Sequence, residues 1–231
     1  MIDTQFDDQL LQIAHLAQYP NLLPWVGSGY RTAGLKVLLL GESHYLPPGV
    51  SYHHDPATWY AGLTIPDAQS LRWMKTRGII QKGLASNWKG ASKTIYRHLS
   101  SAAEAGGFAS TPPVFTQLAF MNYFQRPAEV TGDSIQVSSL DRQVSAQTVE
   151  EVVRVLQPRV VVFCSRLAWR AAGQSGLVAA LIAAGQVVGH TPHPASAWWH
   201  RPSRKRQGRN GRTEFIELLR QATTSGPASL G

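Results

Sequence analysis

Four short runs of apolar residues divide the chain and predict the strands of a sheet. Leu35–Leu40 is almost continuously apolar, interrupted only by Lys36, and Val160–Phe163 is wholly apolar. Runs of this length without polar alternation are typical of strands that are buried on both faces. Two further strands are predicted at Val114–Phe124, which is rich in aromatic and β-favouring residues, and at Gln186–Gly189.

Between these strands, apolar residues recur every three or four positions and predict helices. The helices are predicted at Asp7–Ala17, Gly90–Ala105, Val149–Leu156, Ala168–Ala184 and Thr213–Gln221. Strands that alternate with helices favour the α/β class, here a three-layer α/β/α sandwich around a central, mainly parallel, four-stranded sheet. A chain of 231 residues is expected to form one domain, residues 1–231, with a disordered tail from about residue 223.

Two long segments fit no regular element and are expected to form the walls of a cleft. Segment 47–83 is rich in Tyr, His, Pro and Trp, and we expect short helices within it. Segment 199–212 contains no acidic residue and six cationic ones, which are Arg201, Arg204, Lys205, Arg206, Arg209 and Arg212. Such a cluster is suited to contacting phosphates, although a merely solvated, mobile loop is the alternative interpretation.

The charge balance favours a polyanionic partner. The chain has 22 Lys and Arg against 14 Asp and Glu, a formal charge of +8, and its pI is near 9.9. The single cysteine, Cys164, excludes an internal disulfide and a four-cysteine metal site, and its apolar surroundings predict a buried core residue. The acidic N-terminal segment and the absence of a membrane-length apolar run predict a cytoplasmic protein that does not bind membranes.

Polar residues occur where three of the predicted strands end. The sequence LLLGESHY ends at Tyr45, FMNYFQRP contains Asn122, and VVGHTPHPAS ends at Ser196. Because ligands of open α/β sheets bind outside the carboxyl ends of the strands, we expect the first and the last of these segments to line one cleft.

In the same order, these sequences resemble the motifs of the uracil-DNA glycosylase superfamily. They are similar to its glycine-led pentapeptide, its asparagine-bearing strand end followed by Arg-Pro, and its His-Pro-Ser-like loop, over roughly residues 35–212. The resemblance implies a uracil-DNA glycosylase-like fold and a monomeric, cofactor-free, nucleoid-associated bacterial enzyme. Its substrate would be DNA, in which it flips out a deaminated or damaged base, uracil by default, and hydrolyses the N-glycosidic bond.

The resemblance also implies roles for individual residues. Asn122 is expected to read the base edge, and His193 to donate a hydrogen bond to the carbonyl oxygen of the leaving base. Ser43 stands where the family usually has the Asp or Asn that positions water, so Glu42 or His44 is expected to assume that role. Three further residues are expected to contact the base, namely Gly41, Tyr45 and Trp88.

Trp198 and Trp199 are expected to enter the DNA as a wedge, because they follow the His-Pro loop directly. Further DNA contacts are expected from Ser196, Arg201, Arg204, Lys205, Arg206 and Arg209. Structural alternatives are a core position for Trp88, a hydrophobic plug for the paired tryptophans, a turn or cap for Asn122, and a loop hydrogen bond for His193.

No metal site or cofactor is expected. His53 and His54 are adjacent, and adjacent side chains rarely point toward one ion. Because Ser43 replaces a carboxylate or amide, two alternative functions stay open. One is a DNA- or nucleotide-binding module of the same fold with weak or lost catalysis, and the other is an enzyme that acts on a small nucleotide.

Overall fold

The computed structural model describes residues 1–204 and 207–224, and within them the sheet has five strands. The strands are β1 (Trp25–Val26), β2 (Val37–Gly41), β3 (Ala119–Asn122), β4 (Val160–Phe163) and β5 (Val187–His190). Their order across the sheet is β1-β3-β2-β4-β5. Strands β2 to β5 run parallel, and β1 pairs antiparallel with β3. The α/β class is confirmed, whereas the prediction of four strands is wrong because it omits β1.

Strand β1 could not be predicted because it has only two residues, too few for any periodicity. Its pairing partner defines it, since Trp25 lies opposite Phe120 and Val26 opposite Ala119. The indole Nε1 of Trp25 also donates a hydrogen bond of 2.6 Å to the carbonyl oxygen of Phe115. Tertiary contacts therefore create this edge strand.

Side chains of the strands alternate between two faces, and helices cover both. Leu38 and Leu40 belong to one apolar cluster, whereas Val37 and Leu39 belong to the other. The described helices are α1 (Asp7–Leu10), α2 (Ala14–Gln18), α3 (Pro56–Tyr60), α4 (Ala68–Met74), α5 (Thr76–Ala85), α6 (Thr94–Ala105), α7 (Ser139–Leu156), α8 (Arg166–Gln174), α9 (Leu177–Ala183) and α10 (Gly211–Thr224). Helices α7, α8 and α9 contribute to the first cluster, and α5, α6 and α10 to the second.

Three predicted elements are interrupted in the structure. The predicted helix Asp7–Ala17 is two short helices, α1 and α2, separated by a turn. The predicted helix Ala168–Ala184 breaks into α8 and α9 at Gly176, whose φ of +81° is incompatible with a right-handed helix. The predicted strand Val114–Phe124 begins with a 3-10 turn at Val114–Thr116, so only β3 is extended.

The long segment 47–83 contains short helices, as predicted. Helices α3 and α4 lie within it, and α5 begins in it and ends at Ala85. The first two residues of the expected disordered tail, 223 and 224, belong to α10, which continues to Thr224. Residues 225–231 lie outside the described residues. Nowhere in the described part of the chain is a helix both long and apolar enough to span a membrane.

The chain that follows β3 is fixed by the buried side chain of Arg126. Its Nε and Nη2 donate hydrogen bonds of 2.9 Å to the two carboxylate oxygens of Asp141. Its Nη1 donates to Glu129 at 2.6 Å and to the carbonyl oxygen of His53 at 3.1 Å. Asp141 also forms a capping box with Ser138 at the start of α7. This network joins the end of β3 to α7 and to segment 47–83.

Candidate active site

A cleft of about 1140 Å³ opens at the carboxyl ends of β2, β3 and β4. Its wall away from the sheet is built by α4 and α5, so segment 47–83 forms one side of it, as expected. The structure brings the polar segments after β2 and β5 together with the end of β3. The lining residues that these segments contribute include Gly41, Glu42, Ser43, His44, Tyr45, Asn122 and His193.

Asn122 can occupy its position because its neighbour on β2 is a glycine. Gly41 and Asn122 are paired across the parallel strands. A Cβ atom on Gly41 would overlap Oδ1 of Asn122 and would lie 3.0 Å from Cζ of Phe120. The Asn122 carboxamide makes no hydrogen bond to any described residue, and Phe120 lines the cleft beside it. One donor and one acceptor are therefore free to bind a ligand.

Glu42 is held by the helix that follows β4. The hydroxyl of Ser165 donates a hydrogen bond to Oε2 of Glu42. The same Ser165 oxygen accepts hydrogen bonds from the backbone N–H groups of Leu167 and Ala168, which makes it the N-cap of α8. A regular helix terminus thus fixes the orientation of the carboxylate in the cleft.

His193 is arranged as a neutral hydrogen-bond donor. Its Nδ1 accepts a hydrogen bond of 3.3 Å from the backbone N–H of Ala195, which assigns the ring proton to Nε2. Burial lowers the pKa of His193 below its ordinary value of 6.5, and the nearby Glu42 carboxylate opposes this shift. The imidazole is therefore uncharged at neutral pH.

The three remaining residues of the first motif have different environments. The Ser43 hydroxyl is buried and has no hydrogen-bond partner among the described residues. His44 is buried, and its Nε2 lies 3.0 Å from Oγ1 of Thr76 at the start of α5. Burial lowers the pKa of His44 to about 4. Its ring thus ties the motif to α5. Tyr45 is half-buried at the cleft edge.

Trp88 lies in the core rather than in the cleft, so its expected base contact is not met. Its side chain is 6% exposed and stacks on Tyr96 with ring centroids 5.1 Å apart. The ring is packed against Gly83, where any Cβ would overlap it. An aromatic residue that does line the cleft beside Asn122 is Phe120, which precedes it by two positions.

The two adjacent tryptophans have opposite environments, and only one fits the expected wedge. Trp199 is fully buried against Phe215 and His98, so it is the hydrophobic plug of the alternative interpretation. Trp198 is 54% exposed. It lines a smaller depression of about 350 Å³ beside the main cleft, together with Glu42, His193, Ser196, Arg166 and Arg170.

The basic segment is only partly available to a partner. Arg201 and Arg204 are exposed. Arg209 is engaged, because its Nη1 lies 2.9 Å from a carboxylate oxygen of Glu217 on α10. The expected contacts of Lys205 and Arg206 fall outside the described residues. The Ser196 hydroxyl is buried and has no described partner.

The cleft contains a set of cations that the sequence analysis did not identify. Arg72, Lys75, Lys82 and Lys93 all line the wall opposite the sheet. The sequence does carry a signal for them, because residues 68–103 contain no acidic residue and seven cationic ones, these four among them. Asp133, also missed, lines the opposite rim.

A metal-binding cluster is not found in the described part of the chain, where no three His, Cys, Asp or Glu side chains are grouped suitably. His53 is buried and its Nε2 donates to the carbonyl oxygen of Ala128 at 2.9 Å. Cys164 is buried as predicted, and burial raises the pKa of its thiol to about 12. It is therefore an unreactive part of the cleft floor.

Comparison with protein-family models finds no match to this chain, and comparison with the curated proteins finds none either. The arrangement of the cleft is thus the main source of information about function.

Proposed function

We propose that this chain is a DNA glycosylase of the uracil-DNA glycosylase type, which binds a flipped nucleotide in the main cleft and hydrolyses its N-glycosidic bond. The observation that carries the proposal is the meeting of Asn122, Glu42 and His193 in one cleft. These residues supply an amide for the base edge, a carboxylate for the sugar and a neutral donor for the leaving group. The motif resemblance of the three segments supports the same assignment.

Base recognition is assigned to Asn122 and Phe120. The carboxamide of Asn122 offers a donor and an acceptor side by side, which matches the edge of a pyrimidine such as uracil. Phe120 supplies an apolar surface next to it, against which a flat base can pack. A flipped base would therefore be held both at its edge and on its face.

The reaction breaks the C1′–N bond and forms a C1′–O bond to water. As the bond breaks, positive charge develops on the sugar and negative charge on the base. The Nε2–H of His193 stabilises the base anion by donating to a carbonyl oxygen, and it needs no proton transfer to do so. Glu42 stabilises the sugar cation and accepts the proton of the attacking water. Each of these steps uses a side chain of this protein.

DNA binding is assigned to the rim on the side of the basic segment. Trp198, Arg201 and Arg204 are exposed there, next to the loop that carries His193. Cations contact phosphates without reading sequence, and an exposed apolar ring can hold a base step open. We propose that the protein acts on DNA as a cytoplasmic monomer.

The test is base release from labelled oligonucleotides that contain uracil, hypoxanthine, xanthine or a mismatched thymine, followed by alkali to cleave abasic sites. We expect cleavage at one of these lesions, and that lesion identifies the substrate. His193→Ala should lower the rate by about 10²- to 10³-fold, the usual effect of removing one such donor, and leave DNA affinity nearly unchanged. Equal losses of rate and affinity would remove His193 from the leaving-group role.

A second candidate function is a DNA-binding protein of this fold that does not hydrolyse the bond. Ser43 favours it, because a buried hydroxyl with no partner in the described part of the chain stands where the uracil-DNA glycosylase motif has its water-positioning side chain. The same assay separates the two candidates. Tight, salt-dependent binding without cleavage by the wild type, and base release by Ser43→Asp, would establish the second one.

A further inference from the structure

The wall of the cleft opposite the sheet has a cationic face on α5. Lys75 is the N-cap of α5, and Lys82 lies two turns further on, about 10 Å away along the helix axis. Gly78 and Ile79 lie between them on the same face, and all four residues line the cleft. The lysine side chains therefore point toward the space where a substrate would lie.

Lys93 extends this face from the turn before α6. It is half-buried, and both its burial and the proximity of Lys82 lower its pKa. Two ammonium groups close together in a partly buried site repel each other unless an anion lies between them. Lys75, Lys82 and Lys93 form no ion pair with any described carboxylate. The carboxylates that line the same cleft, Glu42 and Asp133, are thus not paired with these cations.

An exposed aromatic ring lies at the end of this face. Trp73 is 36% exposed and lines the cleft between Arg72 and Lys75 in sequence. Large aromatic side chains are usually buried, so an exposed one beside unpaired cations needs a reason. Proteins that bind single-stranded nucleic acids combine these features, with cations along the backbone and aromatic rings on which unpaired bases stack.

We propose that Lys75, Lys82 and Lys93 form a phosphate-binding wall for the strand that carries the target nucleotide, and that Trp73 stacks on an unpaired base next to it. This inference deepens the proposed function, on which it rests, and makes single-stranded DNA the preferred substrate. The cleft volume of about 1140 Å³ exceeds the usual range for a small ligand and leaves room for more than one nucleotide. A DNA strand and a free nucleotide both carry phosphate groups that these lysines could bind, and the experiment distinguishes these two ligands.

The experiment measures binding to a fluorescein-labelled, undamaged single strand by anisotropy over a series of salt concentrations. Lys82→Gln/Lys93→Gln should weaken binding about tenfold and reduce the slope of log K against log salt by about 0.7 for each phosphate that the variant no longer neutralises. The control is Lys36→Gln/Arg154→Gln, which removes the same charge far from the cleft and should bind nearly as the wild type does. Thermal unfolding of each variant verifies folding.

Trp73 is tested in the same assay. Trp73→Ala should weaken single-strand binding about fivefold or more, whereas Trp73→Phe should restore most of it, because any aromatic ring can stack. Binding to the matched duplex should change little in both variants. Equal losses for single strand and duplex, or wild-type affinity in Trp73→Ala, would overturn the stacking role.

Two further outcomes distinguish a failure of the phosphate-binding wall from a failure of the proposed glycosylase function. The labelled strand carries no damage, so the wall can be established even if no base is ever released. If Lys82→Gln/Lys93→Gln binds the strand as tightly as the wild type does and still releases bases, the phosphate-binding wall is overturned and the proposed glycosylase function is not. The other outcome is that millimolar inorganic phosphate or deoxyuridine monophosphate displaces the labelled strand completely from the wild type but not from Lys82→Gln/Lys93→Gln. That result would assign the site to a free phosphate ligand and overturn the strand-binding proposal.

Discussion

Gly41→Ala should disable base recognition while leaving the fold nearly intact. The added methyl group would overlap Oδ1 of Asn122, so the carboxamide must rotate away from the end of β2. That oxygen is the end of a side chain, and turning its χ angle about 30° off a staggered rotamer costs about 0.5–1.5 kcal/mol. Phe120, whose Cζ would lie 3.0 Å from the new atom, must shift by a few tenths of an ångström.

The effect on catalysis follows from the hydrogen bonds that Asn122 would no longer make. A bidentate amide–base pair contributes about 1–3 kcal/mol of discrimination, and each 1.4 kcal/mol is about a tenfold change. We therefore expect kcat/KM on the preferred lesion to fall by about 5- to 150-fold in Gly41→Ala. Gly34→Ala is the matched control, because nothing lies within 4 Å of a Cβ at that exposed position.

A double-mutant cycle tests the cause. If the methyl group acts by displacing the carboxamide, Gly41→Ala should have little further effect in an Asn122→Ala background. Base release is measured by single-turnover cleavage, and the free energy of unfolding by urea denaturation. Additive losses in the double variant would refute the reasoning, as would a Gly41→Ala protein that retains wild-type kcat/KM.

Three other outcomes are expected from the structure. Arg126→Met or Asp141→Asn should lower the free energy of unfolding in urea by about 3–5 kcal/mol, because either change leaves a buried group without its partner. Burial alone would raise the pKa of Asp141, but the hydrogen bonds from Arg126 and from the α7 cap hold it below 3.8. That contribution to stability is present above pH 3.8 and should be lost as the pH falls through the folded-state pKa, which acid titration of the wild type and of Asp141→Asn would reveal. Trp199→Ala should destabilise the protein by about 3–5 kcal/mol, whereas Trp198→Ala should leave its thermal unfolding unchanged and weaken DNA binding. Ser165→Ala should lower kcat with little change in KM, because it removes the hydrogen bond that orients the Glu42 carboxylate but no contact with the substrate. A raised KM with unchanged kcat would contradict this positioning role of Ser165.

The central strands could be predicted from sequence because burial on both faces leaves a continuous apolar run. Val160–Phe163 was predicted with the bounds that the structure shows, and the fourth predicted strand differs by one residue at each end. The break at Gly176 was missed because an alanine-rich helical pattern continues across it, and only the positive φ reveals the turn. Local periodicity does not record backbone conformation at a single residue.

For the candidate site, sequence identified the residues at strand ends but not those on the facing wall. Gly41, Asn122 and His193 stand next to apolar runs, so topology alone brings them together. Lys82 and Lys93 belong to elements whose orientation depends on how segment 47–83 packs, which no periodicity fixes. The paired tryptophans had the same local pattern and opposite burial, and only tertiary packing distinguishes them.

The burial of Trp199 has a consequence for the DNA contact proposed for its neighbour Trp198. The loop that carries His193 is tied to α6 by His98, whose Nδ1 donates to the carbonyl oxygen of Pro194 at 2.7 Å and whose ring lies parallel to Trp199. Trp198 therefore projects from a turn whose backbone has already lost its conformational freedom during folding. If Trp198 contacts DNA as proposed, little ordering entropy remains to oppose association, so the buried Trp199 would set part of the affinity without touching the DNA.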